Sequence, residues 1–319
     1  MYNFCTVAES VGSQLDHAGM RDKIVVATEA LTSGALTRRE LEREYTKLFR
    51  NIYADSRAEL TARDMAVAAW LWSGRSATIA GCSAAAVLGS RWLNASEPAE
   101  LIRPNRRAPG KIRVYSDALS VRDVCRVGDM RVTTPARTAF DIARRLPLLV
   151  AVPRIDALLR VSGCSVGDAV AVLDRNPGLR GVRAAARALH LADARAESPP
   201  ESLTRILVIA AGLPSPVTQI EVCGIYRLDM GWPEYKVAIE YDGSQHWIDP
   251  AQRARDIERL EFLAAQGWTI IRVSWVQLRE QPRKFVNRVA KALGVEPNVQ
   301  LLHVFLDDWV QQLHVRRAG

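Results

Sequence analysis

The stretch Asp229-Met230-Gly231-Trp232-Pro233-Glu234-Tyr235-Lys236-Val237-Ala238-Ile239-Glu240-Tyr241-Asp242-Gly243 decides the fold of the C-terminal third of this chain. Val237 to Tyr241 reads as a strand, and the four residues Gly231 to Glu234 as the turn leading into it. Val217 to Leu228 alternates as a strand does, so Asp229 ends that strand. Glu240 then lies near the end of the next one, where hairpin side chains can face each other. Glu240 and Asp242 are two apart and point to the same face. Three carboxylates on one face repel unless a cation neutralises them. A hard divalent ion does so, and Mg²⁺ needs only one or two protein carboxylates beside water and substrate phosphate. Such an ion activates water and stabilises the charge that builds on a phosphoryl group, so the pattern points to metal-assisted hydrolysis. The competing reading is a strand that simply reaches solvent at Glu240.

Outward from this hairpin the order is regular. Glu201 to Ala211 is a helix ended by Gly212. Ala251 to Gln266 is an amphipathic helix stopped by Gly267, Trp268 to Val273 a further strand, and Pro282 to Leu293 a closing helix. Helix, hairpin, helix, strand, helix is an α/β layer around a mixed sheet. Upstream, Ala196-Glu197-Ser198-Pro199-Pro200 marks a domain boundary, because two prolines cannot continue a helix.

With its flanks, the stretch from Asp229 to His246 resembles proteins related to the very-short-patch-repair (Vsr-like) endonucleases. In that family a D–F–x–W/C–P–E segment is followed by an apolar strand, E-x-D-G and a nearby His. The likeness covers residues 197 to 293 and includes Glu201, Arg205, Gly212-Leu213-Pro214, Gln219, Arg253, Asp256, Arg259, Gly267-Trp268 and Arg272-Val273. The resemblance implies the PD-(D/E)xK restriction-endonuclease-like fold and phosphodiester hydrolysis with Mg²⁺ or Mn²⁺. It makes Asp229 and Glu240 metal ligands, joined by the Tyr241 carbonyl, with Glu201 as an outer ligand or water-orienting group and Asp242 beside them. His246 becomes a candidate general acid or base, or alternatively a surface residue capping the next helix. Arg253, Arg259 and Arg272 become candidate phosphate contacts; ion pairs with Asp256 and Glu258 on a solvated helix are the alternative. Where the superfamily pattern ends in Lys, this sequence has Asp242, which leaves water activation to His246 or a second metal. Of Trp232, Trp247, Trp268 and Trp275, we expect Trp268 and Trp275 to be core or lid residues rather than base-stacking platforms.

The N-terminal half reads as mainly helical with short strands. Thr37 and Glu40 form a capping-box pattern. Phe49 to Tyr53 reads as a wing strand, Thr61 to Leu71 as a helix, and Ser83 to Leu88 as a capped helix after Gly81. Leu101 to Tyr115 is strand-like, and Thr134-Pro135 opens another helix. Leu36 to Leu93 resembles the winged-helix start of AbiEi-type antitoxin and transcriptional-regulator proteins, and Val132 to Arg144 resembles their second region. This likeness implies a helix-turn-helix with Arg38 and Arg39 near DNA, or else a helical interaction domain.

The sequence carries a net charge of +8. Residues 101–200 hold 18 Lys and Arg against 9 Asp and Glu, so the surplus sits in the middle. That suggests a polyanion, DNA first and RNA as the alternative, or simply Arg-rich helix faces. The five cysteines are scattered, which argues against zinc sites and a disulfide framework. No apolar run approaches the roughly 18 residues that span a bilayer. The expectation is an α+β cytoplasmic protein without a membrane partner. It has a winged-helix-like domain (1–95), a basic middle region (96–196), a restriction-endonuclease-like domain (197–293) and a helical tail (294–319). Its expected function is that of a metal-dependent endonuclease, or a non-enzymatic DNA-binding regulator on a degenerate nuclease fold.

Overall fold

The computed structural model describes residues 23–243 and 250–298, and beyond them residues 300, 302, 303, 305, 306 and 309; the side chains of 250–253 are not described. The helix expected from Val299 to Val315 therefore falls largely outside the described residues, as do His246, Trp247 and the side chain of Arg253.

In chain order the elements begin with β1 (Ile24–Val26), α1 (Ala27–Thr32), α2 (Arg38–Glu44), β2 (Tyr45–Phe49), β3 (Ile52–Asp55) and α3 (Ala62–Trp72). There follow β4 (Thr78–Ile79), α4 (Gly81–Val87), β5 (Ala99–Ile102), β6 (Ile112–Tyr115), β7 (Val124–Val127), β8 (Met130–Thr133) and α5 (Pro135–Arg145). The helices α6 (Leu148–Ser162), α7 (Val166–Asp174), α8 (Val182–His190) and α9 (Pro199–Ala210) come next. The chain continues with β9 (Val217–Val222), β10 (Tyr226–Trp232), β11 (Val237–Asp242), α10 (Pro250–Ala265), β12 (Thr269–Ser274), α11 (Trp275–Glu280) and α12 (Pro282–Leu293). The class is α+β. Two compact units form: one runs through Arg145 and takes up Val161–Leu189 again, the other joins Leu146–Arg160 to the chain from His190.

The first unit holds more sheet than the sequence suggested. Its three-stranded sheet has the order β1-β3-β2, and its five-stranded sheet the order β6-β5-β4-β8-β7. Phe49 to Tyr53 is not one strand but the tip of the β2–β3 hairpin, where Asn51 takes φ 64°. Asn tolerates that left-handed conformation better than most residues. The local helix signals behave as expected: Thr37 with Glu40 and Thr61 with Asp64 both close capping boxes. Ser83 differs, because it is not the cap of α4. Its hydroxyl instead accepts the Glu100 backbone N–H at 2.8 Å.

The helix that opens at Thr134-Pro135 is anchored by charge. Arg137 is fully buried, with Asp141 at 3.1 Å, Asp123 at 3.3 Å and Asp117 at 3.9 Å. Arg144 pairs with Asp141 at 2.8 Å and with Asp117. Arg145 reaches Asp117, Asp141 and Glu100 and lies 3.5 Å from the centre of the Tyr115 ring. A buried charge is tolerated only when paired in this way. These arginines belong to the positive surplus of the middle region, so part of that surplus is internal ion pairing and not a basic surface.

The second unit is built on a four-stranded sheet of order β12-β11-β10-β9. Strands β9, β10 and β11 are antiparallel neighbours, while β12 returns parallel to β11 after the crossover helix α10. Two boundaries differ from the sequence reading. The alternation from Val217 to Leu228 is broken by a turn at Cys223 and Gly224, with φ 53° and 65°. The connection from β10 to β11 lies at Pro233–Lys236, not at Gly231–Glu234. Gly231 is inside β10, and its hydrogen faces the neighbouring strand: a Cβ there would lie 2.3 Å from the Val237 carbonyl oxygen. The Pro199-Pro200 pair starts α9 rather than separating elements. Both prolines sit in the first turn behind the Ser198 cap, where a missing N–H costs nothing.

Candidate active site

Asp229 lies inside β10, because that strand begins three residues earlier and runs on to Trp232. The β10–β11 register runs to Met230–Ile239, and one step further sets Asp229 beside Glu240. On the other side, the β9–β10 ladder passes from Leu228–Ile220 to Met230–Thr218, and Gln219 between them takes φ 55°. The sheet is thus irregular at the level of Asp229.

The Tyr241 N–H donates to Asp229 Oδ2 at 2.8 Å. Burial pushes the Asp229 carboxyl up to about 7, and the negative charges of Glu201 and Glu240 push in the same direction. Arg259 and the Tyr241 hydrogen bond oppose this without overcoming it. Carboxylates from α9 and β11 therefore both act on Asp229 of β10. The third carboxylate is Glu201, not Asp242 as the two-residue spacing suggested.

Each partner is held in place. Glu201 is buried and accepts from the Glu197 N–H at 2.9 Å, the Ser198 hydroxyl at 2.8 Å and Gln219 Nε2 at 3.2 Å. Burial shifts its carboxyl upward as well. Glu240 is buried and receives both guanidinium nitrogens of Arg259, Nη1 at 2.9 Å, while Nη2 also donates to the Arg227 carbonyl at 3.1 Å. Asp242 is paired with Arg272 at 3.0 Å. Arg259 and Arg272 are thus engaged by carboxylates of the sheet, and the Asp256 charge adds to the hold on Arg259. Neither is a free phosphate contact in this state. Arg38 and Arg39 are exposed at the start of α2, in the other unit. Trp268 is buried under Lys236, and Trp232 is buried with Nε1 donating to the Pro214 carbonyl at 3.0 Å.

A second charged group supports α9 from within the unit. Asp156 of α6 accepts from Arg205 at 2.8 Å, the Ser202 hydroxyl at 2.7 Å and the Asp193 N–H at 2.8 Å. Burial raises its carboxyl to about 6 despite these partners. Arg205 and Ser202 flank Glu201 by one and four residues, so this network fixes the helix turn that carries it. Nothing local in the sequence announces Asp156, because its partners lie some 40 to 50 residues away.

The donor set at Asp229 and Glu240 is all oxygen, which suits a hard divalent ion. Among the described residues, no three His, Cys, Asp or Glu side chains stand as a ready metal cage. Arg259 holds the cationic role at Glu240. No described helix is long and apolar enough to cross a membrane.

Residues 208–293 match the restriction-endonuclease-like family model REase_MTES_1575, so this segment is similar to that family. Two curated relatives, the uncharacterized proteins MT2308 and Rv2248 of Mycobacterium tuberculosis, are each 35% identical over 172 residues, or 53% of this chain. The match spans 64% of those relatives' own length. The crystal structure of the RV2827C protein from Mycobacterium tuberculosis superposes with a TM-score of 0.36 at 18% identity, covering 67% of this chain and 82% of that one.

Proposed function

We propose that the C-terminal unit is a metal-dependent endonuclease of the Vsr-like branch that hydrolyses phosphodiester bonds in DNA. The observation that carries this reading is that Glu201, just upstream of the restriction-endonuclease-like segment, and Glu240 within it both act on Asp229. Asp229 and Glu240 would hold Mg²⁺ or Mn²⁺, with the Tyr241 carbonyl as a further oxygen donor. When bound, the ion supplies an activated water and neutralises charge on the phosphoryl oxygens. Glu201, fixed by Ser198 and Gln219, orients the water-bearing side of the cluster. Asp229 holds a proton near neutrality and must give it up for the ion, so metal affinity rises with pH. Were an ion held at Glu240, it would take over the charge role Arg259 plays there and would free that guanidinium for a phosphate oxygen. His246 is retained as the candidate proton carrier in place of the absent lysine.

The first unit supports a DNA-positioning role. Strand, two helices and a hairpin follow the order of a winged helix, with Arg38 and Arg39 of α2 on the surface. On that basis we assign the part of residues 1–95 and 96–196 that lies in the first unit to an AbiEi-like regulator portion; Leu146–Arg160 and the chain from His190 belong to the other unit.

A second reading is favoured by one observation. Glu240 is closed by Arg259 and Asp242 by Arg272, as suits a DNA-binding regulator with an inactive nuclease fold. Calorimetry with Mg²⁺ or Mn²⁺ and a cleavage assay on duplex and single-stranded DNA and RNA separate the two. The nuclease reading expects a bound ion and cutting that Asp229→Ala abolishes. Cutting that survives both Asp229→Ala and Glu240→Ala, or no ion bound with DNA binding intact, refutes it.

A further inference from the structure

The loop between β5 and β6 concentrates exposed cations. Arg103-Pro104-Asn105-Arg106-Arg107-Ala108-Pro109-Gly110-Lys111 joins two strands that are parallel neighbours. Parallel strands ordinarily need a crossover of a dozen or more residues, usually with a helix. Here nine residues make the return, so the loop is drawn out along the sheet edge. From Leu101 to Ser116 the sequence contains no acid at all.

The loop is also fixed. Arg103 folds back along it: Nε donates to the Asn105 carbonyl at 2.7 Å and Nη2 to the Arg107 carbonyl at 2.6 Å. Its guanidinium lies 4.5 Å from the centre of the Trp72 ring. Asn105 Oδ1 accepts the Arg107 N–H at 3.0 Å. One arginine is thus used as a clasp, and Pro104 and Pro109 limit the unfolded alternatives. The clasp leaves Arg106, Arg107 and Lys111 exposed, and no ion pair among the described residues engages them. Holding three like charges together on a stiff loop is unfavourable unless a polyanion supplies the opposite charge. Evenly spaced phosphates match such a row, and each contact releases condensed counterions.

We propose that the Arg103-clasped loop is a nucleic-acid backbone contact, with Arg106, Arg107 and Lys111 touching phosphates irrespective of sequence. This contact is separate from the carboxylate cluster of the other unit and does not depend on turnover there.

The test is fluorescence anisotropy of the full chain with labelled duplex DNA in EDTA, where no metal-dependent cleavage interferes. The triple variant Arg106→Gln, Arg107→Gln, Lys111→Gln should bind at least about tenfold more weakly and flatten the slope of log affinity against log salt by about 2 to 3. A charge-matched triple, Arg122→Gln, Arg126→Gln, Arg131→Gln, changes the net charge equally and should cost much less. Arg103→Lys keeps the charge but loses the fork, and should also weaken binding. Circular dichroism confirms that each variant is folded. Absence of DNA binding by the unmodified protein overturns the inference. So does equal loss from both triples, an unchanged salt slope in the loop triple, or a loop that drives binding to anionic lipid vesicles but not to DNA.

Discussion

Replacing Asp229 by Asn should stabilise the metal-free protein, and only at high pH. In the folded chain this carboxyl is held at about 7 against an ordinary value of 3.8. Between those values the folded state binds a proton that the unfolded chain has released, so stability falls as pH rises through the window. The full gap would correspond to about 4 kcal/mol at about 1.4 kcal/mol per pH unit. Asp229 is partly exposed, and solvent screening reduces this to on the order of 2 kcal/mol. Asn imitates the protonated acid, carries no charge toward Glu201 and Glu240, and keeps a carbonyl to accept the Tyr241 N–H. Urea melts in EDTA should give similar stability for both proteins near about pH 4, and a variant more stable by on the order of 2 kcal/mol above about pH 8. Glu201 is shifted in the same direction, so part of the pH slope persists in the variant. Excess Mg²⁺ should narrow the high-pH difference, because only the unmodified protein offers the ion a carboxylate at this position. A difference between the proteins that is constant across the pH range would refute the reasoning: the cluster would then not be repelling itself.

Further expectations concern the supports around the site and the first unit. Arg205→Met should leave Asp156 buried without its cation, raise its titration further above about 6, and cost about 3 kcal/mol at neutral pH in denaturant melts. Gly231→Ala should cost about 1–3 kcal/mol through the clash with the β11 backbone, and an unchanged unfolding midpoint would contradict the close approach of the two strands. Arg137→Met should destabilise the first unit by about 3–5 kcal/mol, since Asp123 and Asp141 lose a buried partner; a neutral result in thermal melts would show that Arg144 and Arg145 suffice.

What was legible in the sequence was local. The Thr37–Glu40 capping box and the α10 and α12 spans follow from contacts three or four residues apart. The apolar run Val237–Ile239 marks a strand covered on both faces. The turn at Cys223 escaped notice because alternating residues continue through it, and periodicity alone does not show where a strand reverses. Asp229 and Glu240 were visible as a pair from spacing, whereas Glu201 entered only through the family resemblance. Spacing put Asp242 with them, whereas the parallel return of β12 brings Arg272 to Asp242 and α10 brings Arg259 to Glu240. The basic middle region was visible as a count, yet a count does not separate Arg137, buried among aspartates, from Arg106, exposed on its loop. Such distinctions depend on pairs distant in the chain, and no local window contains them.

The placement of α6 also dictates an order of events during synthesis. This helix leaves the ribosome before α7 and α8, yet it belongs to the unit that begins again at His190. Its Asp156 waits for Ser202 and Arg205, 46 and 49 residues further on. Meanwhile the first unit is still short of α7, which packs on α5, and of Gly181, whose missing side chain lets the chain lie against the Arg144 carbonyl. Domains usually fold one after another as the chain emerges. Here neither can be finished before the other has been started. A cut after Arg145 takes Val161–Leu189 from the first unit, and a cut before His190 takes Leu146–Arg160 from the second, so no single cut separates the two with both complete.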